Sequence, residues 1–351
     1  LRGDTPLQRV RNLLVSDEAT AQATIDALPL VLARNDLPTM DEAIAAEAKS
    51  KHFYIQPAAL LAARLAFERD PSVALQRSEA LVQRLVAYYL TDGTGDMPGW
   101  YRELAQRRPE WVAPVLLTYS LAKFKRKAFQ AITGLWALGS ETDHVALARL
   151  SLPQLLAAFP LRAGEQALGT LNRSLLPALP VLEDAQAAAI VRMKLRQTAM
   201  SAAQRIAWLV ADLPYRAKAA DELAALVGRN ERRAVLLGGA LHEQGTPGRV
   251  VQQLKPSSVR RLLEVLAPIT ASERWRRDGI VTVADDRGDT VRALFSVLSS
   301  NPGADARDAL NSIEGSKGLG AWGDMLRYSL RTQHRTAREA GFLASPPRQV
   351  A

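Results

Sequence analysis

The stretch that decides the fold is VRRLLEVL at residues 259–266, where apolar side chains recur at positions i, i+3, i+4 and i+7. The same spacing returns in VRALFSVL at residues 291–298. This period places the apolar side chains on one face of an α-helix and the polar side chains on the other. Both stretches therefore predict amphipathic helices whose apolar faces pack into a core.

The composition extends this prediction to the whole chain. Its 351 residues include 58 alanines and 52 leucines, whereas aromatic residues make up only 6%. Alanine and leucine are strong helix formers, and the scarce aromatic residues are those that favour strands. With 48% hydrophobic and 23% charged residues, the chain is able to bury a large core. We therefore expect an all-α protein and exclude both an all-β fold and global disorder.

Helix breakers interrupt the apolar pattern at intervals and predict loops between helices. The interruptions are residues 91–99, 228–233, 245–248, 277–290, 300–304 and 315–323. Helices of about 10 to 20 residues with short loops predict antiparallel helix pairs that stack as an irregular HEAT-like α-solenoid. A compact multi-helix bundle is the alternative.

Three segments are expected along the chain. Residues 1–95 form an N-terminal helical segment, residues 96–276 form HEAT-like helical repeats, and residues 277–351 form C-terminal helical pairs that lead into a further domain. The spacing of a capping box occurs at three helix starts. The pairs are Thr39 with Glu42, Ser201 with Gln204, and Thr270 with Glu273. The six tryptophans lie among leucines and are expected to anchor the core.

Candidate catalytic and metal-binding patterns are weak. Without cysteine the chain has no disulfide, thiolate metal site or cysteine nucleophile. No histidine has another three or four residues away, and the glycine loop at 315–320 departs from the spacing of a phosphate-binding loop. Asp285, Asp286 and Asp289 could coordinate a hard cation, but an acidic turn that caps a helix at Thr290 is the simpler explanation. We therefore predict no metal, no cofactor and no enzymatic activity in this chain.

The net charge of +9 is unevenly distributed. Residues 1–175 carry 20 basic and 18 acidic side chains, whereas residues 176–351 carry 25 and 18. Two basic groups are candidate contacts for phosphates or a nucleic-acid backbone. They are the run Lys123, Lys125, Arg126 and Lys127, and the series Arg327, Arg331, Arg335 and Arg338, whose spacing places it on one helical face. A solvated helix surface is the simpler explanation of both groups.

No segment predicts membrane insertion or export. The longest uncharged run, Ala128 to Ser140, is shorter than the roughly 18 residues of a spanning helix. The first residues lack the apolar core of a secretory signal. We therefore expect a cytoplasmic protein, and because Leu1 is not a methionine we expect it to be part of a longer one.

Residues 155–179 and 200–213 resemble the helical-repeat region of large bacterial NACHT/STAND-type multidomain proteins, which act in antiphage defence. The quoted stretches read LLAAFPLRAGEQALGTLNRSLLPAL and MSAAQRIAWLVADL, and residues 291–313 are similar to the closing helices of that region. The resemblance implies a scaffold or sensor that recognises a protein partner, such as a foreign protein or another domain of the same polypeptide. Any NTPase activity would then lie outside this chain. The alternative is a basic α-solenoid that binds nucleic-acid backbone, as HEAT-like DNA glycosylases do.

Overall fold

In the residues that the computed structural model of the chain describes, helices joined by turns and loops are present and no strand is, which confirms the predicted all-α class. These residues are 7–8, 11, 17–93, 96–126, 129, 132–228, 230–244, 254–270, 283–314, 319 and 322–344. The chain divides into two compact units, Leu1–Phe159 and Pro160–Ala351. The division differs from the predicted segment boundaries, because the breaker-rich stretch at 91–99 joins helices that pack within the first unit.

In the first unit, helices that are not consecutive in the chain pack side by side. Its α-helices are α1 (Glu18–Ala27), α2 (Met40–Glu47), α3 (Ile55–Arg69), α4 (Val73–Gln76), α5 (Glu79–Asp92), α6 (Gly99–Arg107), α7 (Pro109–Phe124), α8 (Ala137–Ser140) and α9 (Val145–Ala158). Helices α2, α5, α7 and α9 contact one another in succession, and α3 packs against both α5 and α6. This order is compatible with both the predicted stacked helix pairs and the alternative multi-helix bundle.

In the second unit, too, helices that are not consecutive in the chain pack side by side. It begins with α10 (Glu165–Thr170) and two short turns of π- and 3-10 helix. The α-helices that follow are α11 (Asp184–Leu195), α12 (Ala202–Asp212), α13 (Ala219–Val227), α14 (Glu231–Gln244), α15 (Pro256–Leu266), α16 (Val283–Ser300), α17 (Ala304–Glu314) and α18 (Gly323–Ala344). Helices α12, α14, α16 and α18 form one row, and α13, α15 and α17 form the other.

The two stretches that predicted amphipathic helices form the core of the second unit. Val259, Leu262, Leu263 and Leu266 of α15 are all buried, as are Val291, Leu294, Phe295 and Leu298 of α16. Both predicted apolar faces are therefore confirmed. None of the described helices combines the length and the apolar character that crossing a membrane requires.

The predicted helix starts agree with the structure in part. Thr39 and Glu42 form the predicted capping box, with the Glu42 carboxylate accepting from the Thr39 amide at 2.8 Å. Ser201 caps α12, because its hydroxyl oxygen accepts from the backbone N–H of Gln204. The side-chain amide of Gln204 donates to the carbonyl of Pro160 instead of bonding to Ser201. The third pair, Thr270 with Glu273, extends outside the described residues.

Two further predictions were wrong. Helix α16 begins at Val283, so the acidic residues 285, 286 and 289 lie in its first two turns and not in a turn before Thr290. The positive end of the helix dipole favours carboxylates there, which explains why they resemble a cap. Of the tryptophans, Trp100, Trp208 and Trp322 are buried, but Trp111 is half-buried and Trp136 is 41% exposed. Trp275 lies outside the described residues.

Candidate functional site

The basic run near residue 125 is tied to a neighbouring helix. Lys123 and Arg126 both bind the carboxylate of Glu47 at the end of α2, and the Arg126 Nη2 to Glu47 Oε2 distance is 2.7 Å. Burial opposes ionisation of Glu47, but the hydrogen bonds from Arg126 and Lys123 outweigh it and lower the Glu47 pKa. Lys125 is exposed, and Lys127 lies outside the described residues. Two of the four predicted phosphate contacts are therefore already engaged by an acidic partner.

The arginine series lies on the exposed surface of α18. Arg327, Arg331, Arg335 and Arg338 are all exposed, and Arg327 pairs with Asp324. Within the described part of the chain, the other three arginines form no ion pair. The opposite face of the helix is buried, and there the Gln333 amide donates to the carbonyls of Asn301 and Gly303, at 3.3 Å each. The structure therefore presents three unpaired guanidinium groups on one helix.

A candidate site in the first unit is a cleft with a volume of about 570 Å³. We call it the acidic cleft. It opens between α3, the C-terminal end of α5 and the N-terminal end of α6. Its lining residues are Leu60, Leu61, Arg64, Phe67, Glu68, Tyr89, Asp92, Asp96, Met97, Pro98, Gly99 and Trp100. The volume falls within the range of about 300 to 1,000 Å³ that is usual for ligand pockets.

The local sequence shapes this cleft in two ways. On α3, the lining residues recur with helical spacing, so that one face of the helix forms one wall. On the opposite side, Gly99 lies so close to Phe67 that an added Cβ atom would be 2.8 Å from the Phe67 Cε1 atom. Glycine at position 99 therefore allows the start of α6 to approach α3.

Aromatic rings form the deep wall of the acidic cleft. The rings of Tyr89 and Trp100 meet edge to face, with centroids 6.3 Å apart, and Tyr101 lies behind them at 4.7 Å from Tyr89. Neither the Tyr89 hydroxyl nor the Trp100 Nε1 atom has a hydrogen-bond partner among the residues described. A buried polar atom without a partner costs about 1 to 3 kcal/mol. Burial, and secondly the Asp96 carboxylate, raise the pKa of Tyr89 to about 12.

His144 lies deeper in the same aromatic cluster. Its ring is fully buried and stands 5.9 Å from that of Tyr101, and both ring nitrogens lack a partner in the described structure. Burial lowers the pKa of His144, while Glu141 and Asp143 oppose that change. Its surroundings therefore favour the neutral imidazole, and His144 does not line the cleft.

The second unit buries charge at two other places. Asp212 is fully buried, and Arg216 binds both Asp212, with an Nε to Oδ2 distance of 2.6 Å, and Glu222. Lys194 on α11 is 2% exposed, and burial lowers its pKa to about 8. The sequence did not predict the burial of these side chains, because their burial depends on helix packing.

The acidic cleft was not predicted from the sequence. The only signal for it is a pair of aspartates that flank glycines just before Trp100, within the stretch 91–99 that predicts a loop, in a chain of net positive charge. Among the histidine, aspartate and glutamate residues that the structure describes, no group of three could hold a metal ion.

Comparison with known proteins finds no relative of this chain. The chain matches no family model, no curated protein and no solved structure.

Proposed function

We propose that this chain is a non-catalytic helical scaffold or sensor that recognises a protein partner, and that the acidic cleft is its recognition site. The observation that carries the proposal is the cleft wall, where buried Tyr89 and Trp100 leave two polar atoms without a partner among the described residues. The sequence resemblance supports a cytoplasmic segment of a bacterial NTPase-linked protein, with the NTPase outside this chain.

The chemistry of the cleft favours a protein as the partner. Its floor is apolar and aromatic, and its rim carries charged side chains, including the Arg64–Glu68 ion pair. An apolar, aromatic-rich centre inside a polar rim is the usual composition of a protein interface. Such anchor pockets carry most of the binding free energy of an interface.

Blocking the cleft tests this proposal. A peptide display library would be selected on the purified chain, and the enriched peptides measured again on Leu60→Trp, which places an indole in the cleft. We expect at least about tenfold weaker binding, since an anchor pocket contributes about 2 kcal/mol or more. The matched control is Leu150→Trp on α9, which adds the same ring at a leucine that is 47% exposed and does not line the cleft. Enriched peptides that bind both variants equally well would contradict the proposal.

A second candidate function is binding to nucleic-acid backbone through α18. It is favoured by Arg331, Arg335 and Arg338, which are exposed and form no ion pair with the described residues. Seven residues of helix span about 10 Å, which is long enough to contact successive phosphates. Exposed arginines also repel one another only weakly at physiological salt, so their clustering needs no ligand.

Charge reversal separates the two functions. We expect Arg331→Glu with Arg335→Glu to leave only weak, salt-sensitive binding to duplex DNA, no different from that of the unchanged chain. The matched control is Arg192→Glu with Arg196→Glu, two exposed arginines four residues apart on and beside α11. Submicromolar binding at about 150 mM salt, lost in the first double variant and kept in the control, would instead establish the nucleic-acid function.

A further inference from the structure

More carboxylates line the acidic cleft than its one ion pair neutralises. One arginine and three carboxylates line it, and Arg64 is bound to Glu68, with an Nε to Oε1 distance of 2.7 Å. In the described part of the molecule, Asp92 and Asp96 have no basic partner. Two uncompensated carboxylates therefore face one cleft in a chain whose net charge is +9.

The position of Asp92 adds to this negative potential. Asp92 is the last residue of α5, and Gly93, with a φ of 69°, ends the helix. The C-terminal end of a helix carries a partial negative charge, so that an aspartate there is unfavourable and a cation is favourable. The helix end and the side chain of Asp92 therefore both attract a positive group to the rim.

The aromatic wall provides a surface for the same kind of ligand. Phe67, Tyr89 and Trp100 line the cleft, and the faces of such rings attract cations. Tyr89 and Trp100 are 1% and 2% exposed, and their polar atoms without a partner among the described residues are buried, so the half-buried Phe67 supplies the exposed ring surface.

We infer that the acidic cleft binds a cationic side chain of a basic peptide segment in the partner protein, and that this side chain is arginine. The inference rests on the proposed function of the cleft and specifies the chemistry of its ligand. Arginine fits better than lysine, because its planar guanidinium group stacks on aromatic rings and donates to two carboxylates at once. The same carboxylates would repel phosphate and nucleic acid.

Two peptides of matched shape and different charge test the inference on the full chain. The probes are fluorescein-labelled peptides of alternating glycine and arginine, and the same peptides with citrulline, in which an uncharged urea group replaces the guanidinium. At about 150 mM salt we expect the arginine peptide to bind at least about fivefold more tightly in fluorescence anisotropy. In Asp92→Asn with Asp96→Asn, the two peptides should bind equally. The control is Asp305→Asn with Asp308→Asn on α17, which makes the same charge change at two exposed aspartates and should keep the preference.

The outcomes separate this inference from the proposed function. Equal binding of the two peptides to the unchanged chain, or an equal loss of preference in both double variants, would overturn the inference. Displayed peptides that need an open cleft but carry no basic residue would also overturn it, while the proposed function would stand. If no displayed peptide responds to Leu60→Trp, the proposed function fails. Circular dichroism of each variant verifies that the fold is retained.

Discussion

Replacing Arg216 with methionine is expected to lower the free energy of unfolding by about 2 to 4 kcal/mol at pH 7. Arg216 holds the fully buried Asp212 at 2.6 Å and also pairs with Glu222. Without the guanidinium group, Asp212 would remain a buried carboxylate with no compensating charge. Urea unfolding followed by circular dichroism measures the loss. The control is Arg64→Met, which removes an exposed ion pair and should cost at most about 1 kcal/mol.

A double variant and the pH dependence identify the cause of that loss. Arg216→Met combined with Asp212→Asn should recover most of the stability, because no buried charge remains. Burial already raises the pKa of Asp212 above 3.8, and removing Arg216 should raise it further. The folded variant would then bind a proton more readily than the unfolded chain, so its deficit should shrink as the pH falls toward 4. A deficit that persists in the double variant at every pH would show that packing, not charge, is responsible.

Lys194→Met is expected to raise the free energy of unfolding by about 1 to 3 kcal/mol at pH 7. Lys194 is 2% exposed, and burial lowers its pKa from 10.5 to about 8. The folded protein therefore holds a buried ammonium group at pH 7, which methionine would replace with an apolar side chain of similar length. Urea unfolding measures the gain, and Lys49→Met at an exposed position should change the stability little.

The pH dependence provides the check on this prediction. Between pH 8 and pH 10.5 the folded protein releases the Lys194 proton before the unfolded chain does, so the stability contribution of the wild-type lysine rises with pH. The advantage of methionine should therefore be greatest below pH 8 and fade toward pH 10.5. An advantage of the same size at pH 7 and at pH 10 would mean that burial of the charge is not its source.

Local patterns predicted the helices well. The faces at 259–266 and 291–298 are buried, and Thr39 with Glu42 forms a complete capping box. These features depend on residues within one or two turns of each other, so the sequence contains all the information they need. The burial of the tryptophans was harder to predict, because hydrophobic character alone does not say which side chains find a neighbour. Trp136, in the turn before α8, is 41% exposed.

The sequence by itself determined the all-α class and the apolar faces at 259–266 and 291–298, because a helix is formed by hydrogen bonds and side-chain periods that span only a few residues. Tertiary structure alone decided which charges meet. Glu47 binds Arg126, which lies 79 residues away in the chain, and the acidic cleft joins α3 to the ends of α5 and α6. Such juxtapositions follow from the packing of whole helices, and packing also sets the burial that shifts the pKa values of Lys194 and Asp212.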